Sequence, residues 1–358
     1  MAKNDENNEL LLSIIVPIYN GENYISKLLD SLINNNGEDY AYEIILINDG
    51  STDQSEKICR HYEQRFSNIH YYSKNNGGIA SARNEGVIKA KGKYITFADQ
   101  DDFVICGYKK YVDKCKNEQL DLLITSYCTW QNEKINVVYK VDDEIINDKI
   151  KIRGIAAGLI DNKYFKTGEY QSGPNSVWNV IFNRNLLVDN NIYFKSFIDY
   201  EDDWIFNIET LLHASKIAMS SEKYYCWNIH DASESHRGKY IVDLITKRKR
   251  WMNWLFSILA RLELDKDSVN AFIKNVLIPR NIIISFKNTC WKPDATINDK
   301  IEEIIVATSK EGWDISKVDY TQIDEMNFKE KMLFSLLKNN CYRTAYYLNR
   351  YIFRRKFH

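Results

Sequence analysis

The sequence lacks the marks of several broad protein classes. Its seven cysteines are scattered and no two form a Cys-x-x-Cys pair, so we expect neither a zinc site nor a disulfide framework. This use of cysteine is typical of a protein in a reducing compartment. Lys and Arg (48) nearly balance Asp and Glu (49), which argues against a nucleic-acid partner. No apolar stretch is long enough to span a bilayer, and the polar start lacks the regions of a signal peptide. We expect a cytoplasmic protein, at most peripheral at the inner face of the membrane.

What the chain does contain is enough apolar sequence for a large core and more than one domain, with 358 residues of which 44% are hydrophobic. Over the first two-thirds, short apolar runs ended by polar or glycine-containing turns alternate with helical patterns. This alternation predicts an α/β fold with a doubly wound, mostly parallel sheet. Beyond Tyr240 helical periodicity dominates, so we predict one domain over residues 1–239 and a helical C-terminal domain over residues 240–358.

Some segments of the first domain give more specific predictions. Leu11–Val16 reads as a buried first strand stopped by Pro17, and Ile79–Lys89 reads as a helix after a glycine pair. Asp53 and Glu56 resemble a capping pair at the start of a helix. From residue 130 to residue 167 the pattern is weak and charged, which predicts strands and loops at the sheet edge.

An acidic run follows the strand that begins at Tyr94. Asp99, Asp101 and Asp102 lie within four positions directly after the apolar strand residues. Open α/β sheets bind ligands beyond the carboxyl ends of their strands. Three carboxylates there would repel one another unless a cation lay among them. Hard oxygen ligands suit Mn2+ or Mg2+ with substrate phosphates completing the shell, so the run predicts a metal site that handles a diphosphate.

Five motifs along the first two-thirds of the chain resemble one family. They are Leu12–Asn20, Asn48–Asp53, Asn76–Asn84, Phe97–Asp102 and Asp202–Asn207. In this order and at this spacing they resemble family 2 glycosyltransferases of the GT-A fold, of the bacterial surface-polysaccharide type. The resemblance implies a Rossmann-like nucleotide-binding sheet. It also implies a metal-dependent, inverting enzyme that moves a sugar from a UDP-sugar donor to a hydroxyl of a glycan, polymer or lipid-linked acceptor.

The resemblance also implies a nucleotide site at the ends of the first strands. Its expected residues are Pro17, Tyr19, Asp49, Asn76, Gly77, Arg83, Asp99 and Gln100. Asp49 would accept a hydrogen bond from the uracil N–H, or else cap the turn that follows it. Backbone amides at Gly77 favour an anion at a helix start. Arg83 would reach the nucleotide or hold Asp99, or else be an exposed helix arginine, and Asp99 would bind the ribose.

Metal and base residues complete the expected site. The resemblance implies Asp101 as a ligand of Mn2+ or Mg2+, and His230, which follows an aromatic strand, could complete the metal shell or meet the diphosphate. Alignment on Phe206 makes Asp203 the catalytic base, whereas a shift by one residue makes it Asp202. Trp178 could stack on a sugar face or pack in the core.

The last third carries no motif of that family. Its final stretch interleaves aromatic residues with arginines, which suits either an anionic membrane surface or a solvated helix face. The helical domain is therefore expected to bind the acceptor, to form a homo-oligomer or to contact the membrane. Two rival functions stay open, a sugar-nucleotide pyrophosphorylase and a non-catalytic UDP-sugar-binding scaffold. A pyrophosphorylase would need a glycine-rich loop with a basic residue directly after the first strand, but this sequence has Pro17 and Tyr19 there.

Overall fold

The computed structural model of the protein divides the chain into two compact units, Met1–Ser233 and Glu234–His358. It describes residues 9–37, 41–161, 165, 173–197, 202–230, 240–320, 323 and 326–353. The boundary predicted between residues 239 and 240 stays a prediction, because residues 231–239 lie outside this description.

One sheet organises the first unit. Its strands, within the described residues, are β1 (Leu12–Ile18), β2 (Tyr42–Asn48), β3 (Ile69–Ser73), β4 (Tyr94–Phe97), β5 (Phe103–Val104), β6 (Leu122–Gln131), β7 (Lys134–Tyr139), β8 (Glu144–Ile146), β9 (Val180–Asn183) and β10 (Ile217–Asn228). The strand order is β3-β2-β1-β4-β9-β6-β10-β5, with β7 paired to β6 and β8 paired to β10.

The helices of this unit connect or cover those strands. They are α1 (Ile25–Asn36), α2 (Ser55–Arg65), α3 (Ile79–Lys89), α4 (Lys109–Glu118), α5 (Lys149–Asp161), α6 (Arg184–Asp189) and α7 (Asp202–His213). Every residue of β1 and β2 is buried, because side chains on both faces of these strands are covered. Ile14 and Val16 belong to the same core cluster as Leu28 and Leu32 of α1, whereas Ile15 lies against α3 on the opposite face.

Strand direction differs between the two halves of the sheet. The pairs β2–β3, β1–β2 and β1–β4 are parallel, as predicted, so the carboxyl ends of β1, β2 and β4 meet at one edge. β9 then pairs antiparallel to both β4 and β6, and β6 pairs parallel to β10. The α/β fold is confirmed, and the complete sheet is mixed. The parallel half brings the predicted nucleotide residues to a common edge.

Two local predictions were wrong. Pro17 lies inside β1 rather than after it, opposite Ile47 of β2. The register of β1 with β4 ends at Ile15, so the missing N–H of proline costs no ladder hydrogen bond on that side. The second error is α5, which falls within the stretch predicted as strands and loops. Ile152, Ile155 and Ile160 bury one face of it, a helical spacing that the surrounding lysines obscured.

Gly86 lets α3 pack directly on β1. A Cβ at this position would lie 2.2 Å from Cγ2 of Ile15, which is fully buried. We expect Gly86→Ala to destabilise the protein by about 1–3 kcal/mol, because overpacking a dense core outweighs the better helix propensity of alanine. Urea unfolding of the wild type, Gly86→Ala, Ile15→Ala and the double variant measures this. If steric contact is the cause, the double variant loses less stability than the sum of the single variants.

The second unit is helical, as expected. Its helices are α8 (Leu244–Arg261), α9 (Lys266–Phe272), α10 (Ile278–Cys290), α11 (Ile297–Thr308), α12 (Phe328–Lys338) and α13 (Tyr342–Phe353). Arg248, one of four consecutive basic residues (Lys247–Arg250) in α8, is buried, lies over the Trp251 ring and donates to Asn281. Among the described helices, none is long and apolar enough to cross a membrane. The side chains of residues 349–358, which include most of the basic aromatic stretch, lie outside the description.

Candidate functional site

Two loops at the carboxyl edge of the parallel strands are joined by hydrogen bonds. In the loop after β1, Asn20 N donates to Ser51 Oγ at 3.0 Å, and Asn20 Oδ1 accepts from Thr52 N at 2.8 Å. Gly21 N donates to Ser55 Oγ at 2.8 Å. The loops that follow β1 and β2 therefore form one rigid edge on which a ligand can be positioned.

The predicted capping pair at the start of α2 does not form. Asp53 accepts from the backbone N–H groups of Glu22, at 3.0 Å, and Ser55, at 2.9 Å. Glu56 pairs instead with Arg60, one turn along the helix. Asp53 thus contributes to joining the two loops, which a local capping pattern could not indicate.

Gln100 holds the loop after β1. Its side-chain Oε1 accepts from Tyr19 N at 2.9 Å, and its Nε2 donates to Tyr19 O at 3.0 Å. A Cβ at Gly21 would lie 2.3 Å from that Oε1, so glycine leaves the room for this pairing. The side-chain amide of Gln100 is therefore occupied by the backbone of Tyr19. Tyr19 is 47% exposed, and Pro17 is buried. Nucleotide contact by all three residues stays a prediction.

Asp49 occupies the amides that were predicted to attract a ligand anion. Its carboxylate accepts from Gly77 N at 3.0 Å, from Gly78 N at 2.7 Å and from Lys74 Nζ at 2.7 Å. The alternative role as a cap of its own turn is wrong, because Ser51 N donates to Asn48 instead. Asp49 is thus fixed at the N-terminus of α3, and its contact with uracil remains a prediction.

Asn76 lies beside this group. Its side chain is exposed, and its backbone N would be 3.0 Å from a Cβ placed on Gly50. Gly50 has a φ of 76°, a conformation that favours glycine, so the turn after β2 and the segment before α3 approach closely. This close approach places Asn76 at the same edge as Asp49.

Arg83 joins the acidic run after β4 to Asp203 at the start of α7. Its Nη2 donates to Asp99 Oδ1 at 2.8 Å, and its Nη1 donates to Asp203 Oδ1. The residue is 2% exposed and its guanidinium lies 5.3 Å from the centre of the Phe194 ring. An exposed arginine is therefore ruled out. Asp99 follows β4, and Asp203 lies in the first turn of α7. One guanidinium therefore connects two carboxylates that are 104 residues apart and were predicted to share a site.

Asp203 has the electrostatic setting of a base. Burial raises the pKa of its carboxyl, and the nearby charge of Asp99 adds to the rise, while Arg83 opposes it. Its second oxygen, Oδ2, accepts from Val177 N at 3.3 Å. A carboxylate with a raised pKa is a stronger base near neutral pH. The side chain of Asp202 lies outside the description, so the choice between the two aspartates stays open.

The acidic run after β4 contacts the end of β10. Asp101 Oδ2 lies 3.0 Å from His230 Nε2, and the His230 ring stacks on Tyr24 with 4.7 Å between centres. Burial and the charge of Asp99 raise the pKa of Asp101, although His230 lowers it. Burial raises the pKa of Asp102 well above its ordinary value, and the two neighbouring aspartates add to that rise. This is the crowding of negative charge from which a cation was predicted.

The residues present fit a divalent cation only together with substrate oxygens. Among the described residues, no group of three His, Cys, Asp or Glu side chains is placed to hold a metal ion. Asp101 and His230 offer a carboxylate and an imidazole, and the buried Nδ1 of His230 has no hydrogen-bond partner there. Mg2+ is commonly held by one or two carboxylates plus substrate phosphates, and Mn2+ also accepts imidazole. The donor set therefore suits a metal–diphosphate complex better than a bare ion.

Several site contacts had no sequence signal that singled them out. Lys74, Tyr225 and Asn228 each bond to a predicted site residue, but lysines and aromatic residues occur throughout these segments. The Trp178 ring stacks on Tyr225 with 4.5 Å between centres and is 6% exposed. Trp178 is therefore a core residue, and sugar stacking is not its role.

Comparison with known proteins agrees with this geometry. Residues 13–129 match the family described as Glycosyl transferase family 2. An uncharacterized glycosyltransferase, EpsJ of Bacillus subtilis, is 26% identical over 305 residues, which are 82% of this chain and 83% of EpsJ. The poly(ribitol-phosphate) β-glucosyltransferase of Bacillus spizizenii is 29% identical over 64% of this chain, and the match spans 34% of that longer protein.

A solved structure shares the fold over nearly the whole chain. The structure of S. aureus TarS 1-349 in complex with UDP-GlcNAc has a TM-score of 0.61 and 22% identity, and the match covers 95% of this chain and 91% of that one. The mixed sheet and the match over residues 13–129 point to the same family of folds. Residues 13–129 of this chain therefore match a family 2 glycosyltransferase domain, and the chain shares the GT-A fold of TarS.

Proposed function

We propose that the protein transfers a sugar from a UDP-sugar donor to a hydroxyl of a glycan, polymer or lipid-linked acceptor, with inversion, in bacterial cell-surface polysaccharide synthesis. The observation that carries this proposal is the pairing of Arg83 with Asp99 and Asp203. It places the group expected to bind ribose beside the group expected to deprotonate the acceptor. With the ribose of the donor held at Asp99, the transferred sugar would lie on the side of Asp203.

In the proposed reaction Asp203 acts as general base. Its Oδ1 is engaged by Arg83, so Oδ2, with its 3.3 Å contact to Val177 N, takes the proton of the acceptor hydroxyl. The hydroxyl oxygen attacks the anomeric carbon as the bond to UDP breaks, through an oxocarbenium-like transition state. One displacement inverts the configuration. Asp101 and His230 would hold Mn2+ or Mg2+, which when bound offsets the charge on the diphosphate.

The names of relatives support a polymer acceptor. The Bacillus spizizenii relative is a poly(ribitol-phosphate) β-glucosyltransferase, and TarS of Staphylococcus aureus, 25% identical over 64% of this chain, is a poly(ribitol-phosphate) β-N-acetylglucosaminyltransferase. Complexes of TarS with UDP and with UDP-GlcNAc support a UDP-sugar donor. The helical unit is proposed to serve the acceptor side, through acceptor binding, oligomerisation or contact with an anionic membrane.

A donor panel tests the proposal. The protein is incubated with individual UDP-sugars and Mn2+, with and without polyol-phosphate or lipid-linked acceptors, and released UDP is measured. We expect release from one donor to rise with a suitable acceptor and to stop with EDTA. UDP-sugar binding without release would instead favour a scaffold, and no binding of any donor would contradict the proposal.

The pH dependence of kcat should report the protonation of Asp203. Because burial raises the pKa of this carboxyl above its ordinary value of 3.8, Asp203 becomes protonated, and inactive as a base, at a pH higher than for an exposed aspartate. We expect kcat at saturating donor and metal to fall on the acid side with an apparent pKa above 3.8. The residual activity of Asp203→Asn should lack this acid limb. An unchanged limb in that variant would assign it to another group.

A further inference from the structure

The hydroxyl of Tyr225 lies at the centre of the acidic run, yet the proposed chemistry gives it no task. Tyr225 is fully buried in β10. Its Oη accepts a hydrogen bond from Asp99 N at 2.9 Å and donates one to Asp102 Oδ2 at 2.8 Å. The same hydroxyl therefore bonds to the first and the last aspartate of the run.

Further bonds tie the same run to β10. The other oxygen of Asp102, Oδ1, accepts from Asn228 N at 2.8 Å, and Asn228 Nδ2 donates to Asp101 O at 3.0 Å. His230, two residues after Asn228, contacts the Asp101 carboxylate. The position of Asp101 relative to His230 is thus determined by how the acidic run is attached to β10.

The ring of Tyr225 cannot easily move away from this position. The Trp178 ring stacks on it with an angle of 14° between planes. Three carboxylates in four residues repel one another, so an acidic run without the hydroxyl would spread. Its remaining internal restraint is the bond from Asp102 N to Asp99 O at 3.1 Å.

We propose that Tyr225 is a positioning residue for the donor: its hydroxyl fixes Asp99 and, through Asp102, Asp101 in the arrangement that binds the nucleotide and its diphosphate. The proposal rests on the proposed function. Asp203 lies on α7 and is not bonded to Tyr225 or Asp102, so loss of the hydroxyl should weaken donor binding more than the chemical step.

Tyr225→Phe and Tyr224→Phe form a matched pair for the test. Tyr224 is also fully buried, and its Oη donates to Trp178 O at 3.1 Å, away from the acidic run. Both variants leave a buried acceptor without its donor, so both should lower the melting temperature. We expect Tyr225→Phe to raise the UDP Kd and the donor KM about tenfold, since its hydrogen bond is to a carboxylate, with kcat changed less than about threefold. Tyr224→Phe should change the UDP Kd and donor KM less than about twofold.

A second variant keeps the proposal testable if Tyr225→Phe fails to fold. In Asp102→Asn the amide oxygen can still accept from Asn228 N, but an NH2 group replaces the carboxylate oxygen that accepts from the Tyr225 hydroxyl. This variant should therefore raise the UDP Kd and the donor KM as Tyr225→Phe does. The double variant should be no worse than the worse single variant, because both act through one bond. UDP binding is measured by calorimetry with Mn2+, and donor KM by UDP release.

Equal UDP Kd and donor KM for Tyr225→Phe and Tyr224→Phe would overturn the proposal. A larger loss in kcat than in KM would do so too, because it would place Tyr225 in the chemical step. A wild-type protein that binds UDP but releases none from any donor would contradict the proposed function alone. The calorimetric comparison of the two tyrosine variants would then still decide the role of Tyr225.

Discussion

Asp203→Asn is expected to lose about 10²–10⁴-fold in kcat and to bind UDP as the wild type does, because the variant removes a general base and little else. Asparagine has the same size, and its amide oxygen can still accept from Arg83. Asp99 keeps its own bond to Arg83, so the nucleotide side is unchanged. Single-turnover transfer and UDP calorimetry, on the same preparations, separate the chemical step from binding.

Asp202→Asn is the matched control, one residue earlier on the same helix. It should retain most of the activity if Asp203 is the base. The reverse result, a silent Asp203→Asn and an inactive Asp202→Asn, would assign the base to Asp202. Loss of UDP binding in Asp203→Asn would show that the pairing with Arg83 matters for the donor and would remove the evidence for a base.

Elements that are buried on both faces could be predicted from the sequence. β1 and β2 are mostly apolar, apart from residues such as the hydrogen-bonded pair Ser13 and Glu43, because each has a neighbouring strand on both sides. The helix predicted at Ile79–Lys89 has the observed bounds of α3. β9 was harder. It is four residues long and pairs with two strands far away in the chain, so no local period indicates its place between β4 and β6.

The candidate site shows the same limit. The acidic run and the resemblance to the family nominated the acids of the candidate site, each of which follows a strand or begins a helix. They could not predict which groups bond to one another: Asp49 takes the Gly77 and Gly78 amides, and Gln100 takes the Tyr19 backbone. Tyr224 and Tyr225 are neighbours of the same residue type, yet the hydroxyl of Tyr225 bonds to the acidic run and that of Tyr224 bonds to Trp178 O. Such choices depend on which face of a strand meets which loop.

Arg83→Ala should be the most damaging single substitution for the stability of the first unit, with an expected cost of about 3–5 kcal/mol. Asp99 and Asp203 would lose their shared partner while remaining about three-quarters buried. Arg83→Lys should recover only part of this loss, because an ammonium cannot serve two carboxylates with the planar fork of a guanidinium. Arg60→Ala is the control: the Arg60 side chain is 51% exposed and pairs with Glu56 within α2, so its loss should cost much less stability than the loss of Arg83.

The pH dependence of that loss identifies its cause. Burial already raises the pKa of Asp203 above its unfolded value, and Arg83 limits the rise. In Arg83→Ala the pKa of Asp203 should rise further, so the folded state binds a proton that the unfolded state releases, and stability falls as pH increases through that window. Urea unfolding followed by circular dichroism should therefore show a smaller difference between Arg83→Ala and the wild type at acid pH than at alkaline pH. A difference independent of pH would mean that Arg83 stabilises through its contact with Phe194 instead of through the two carboxylates.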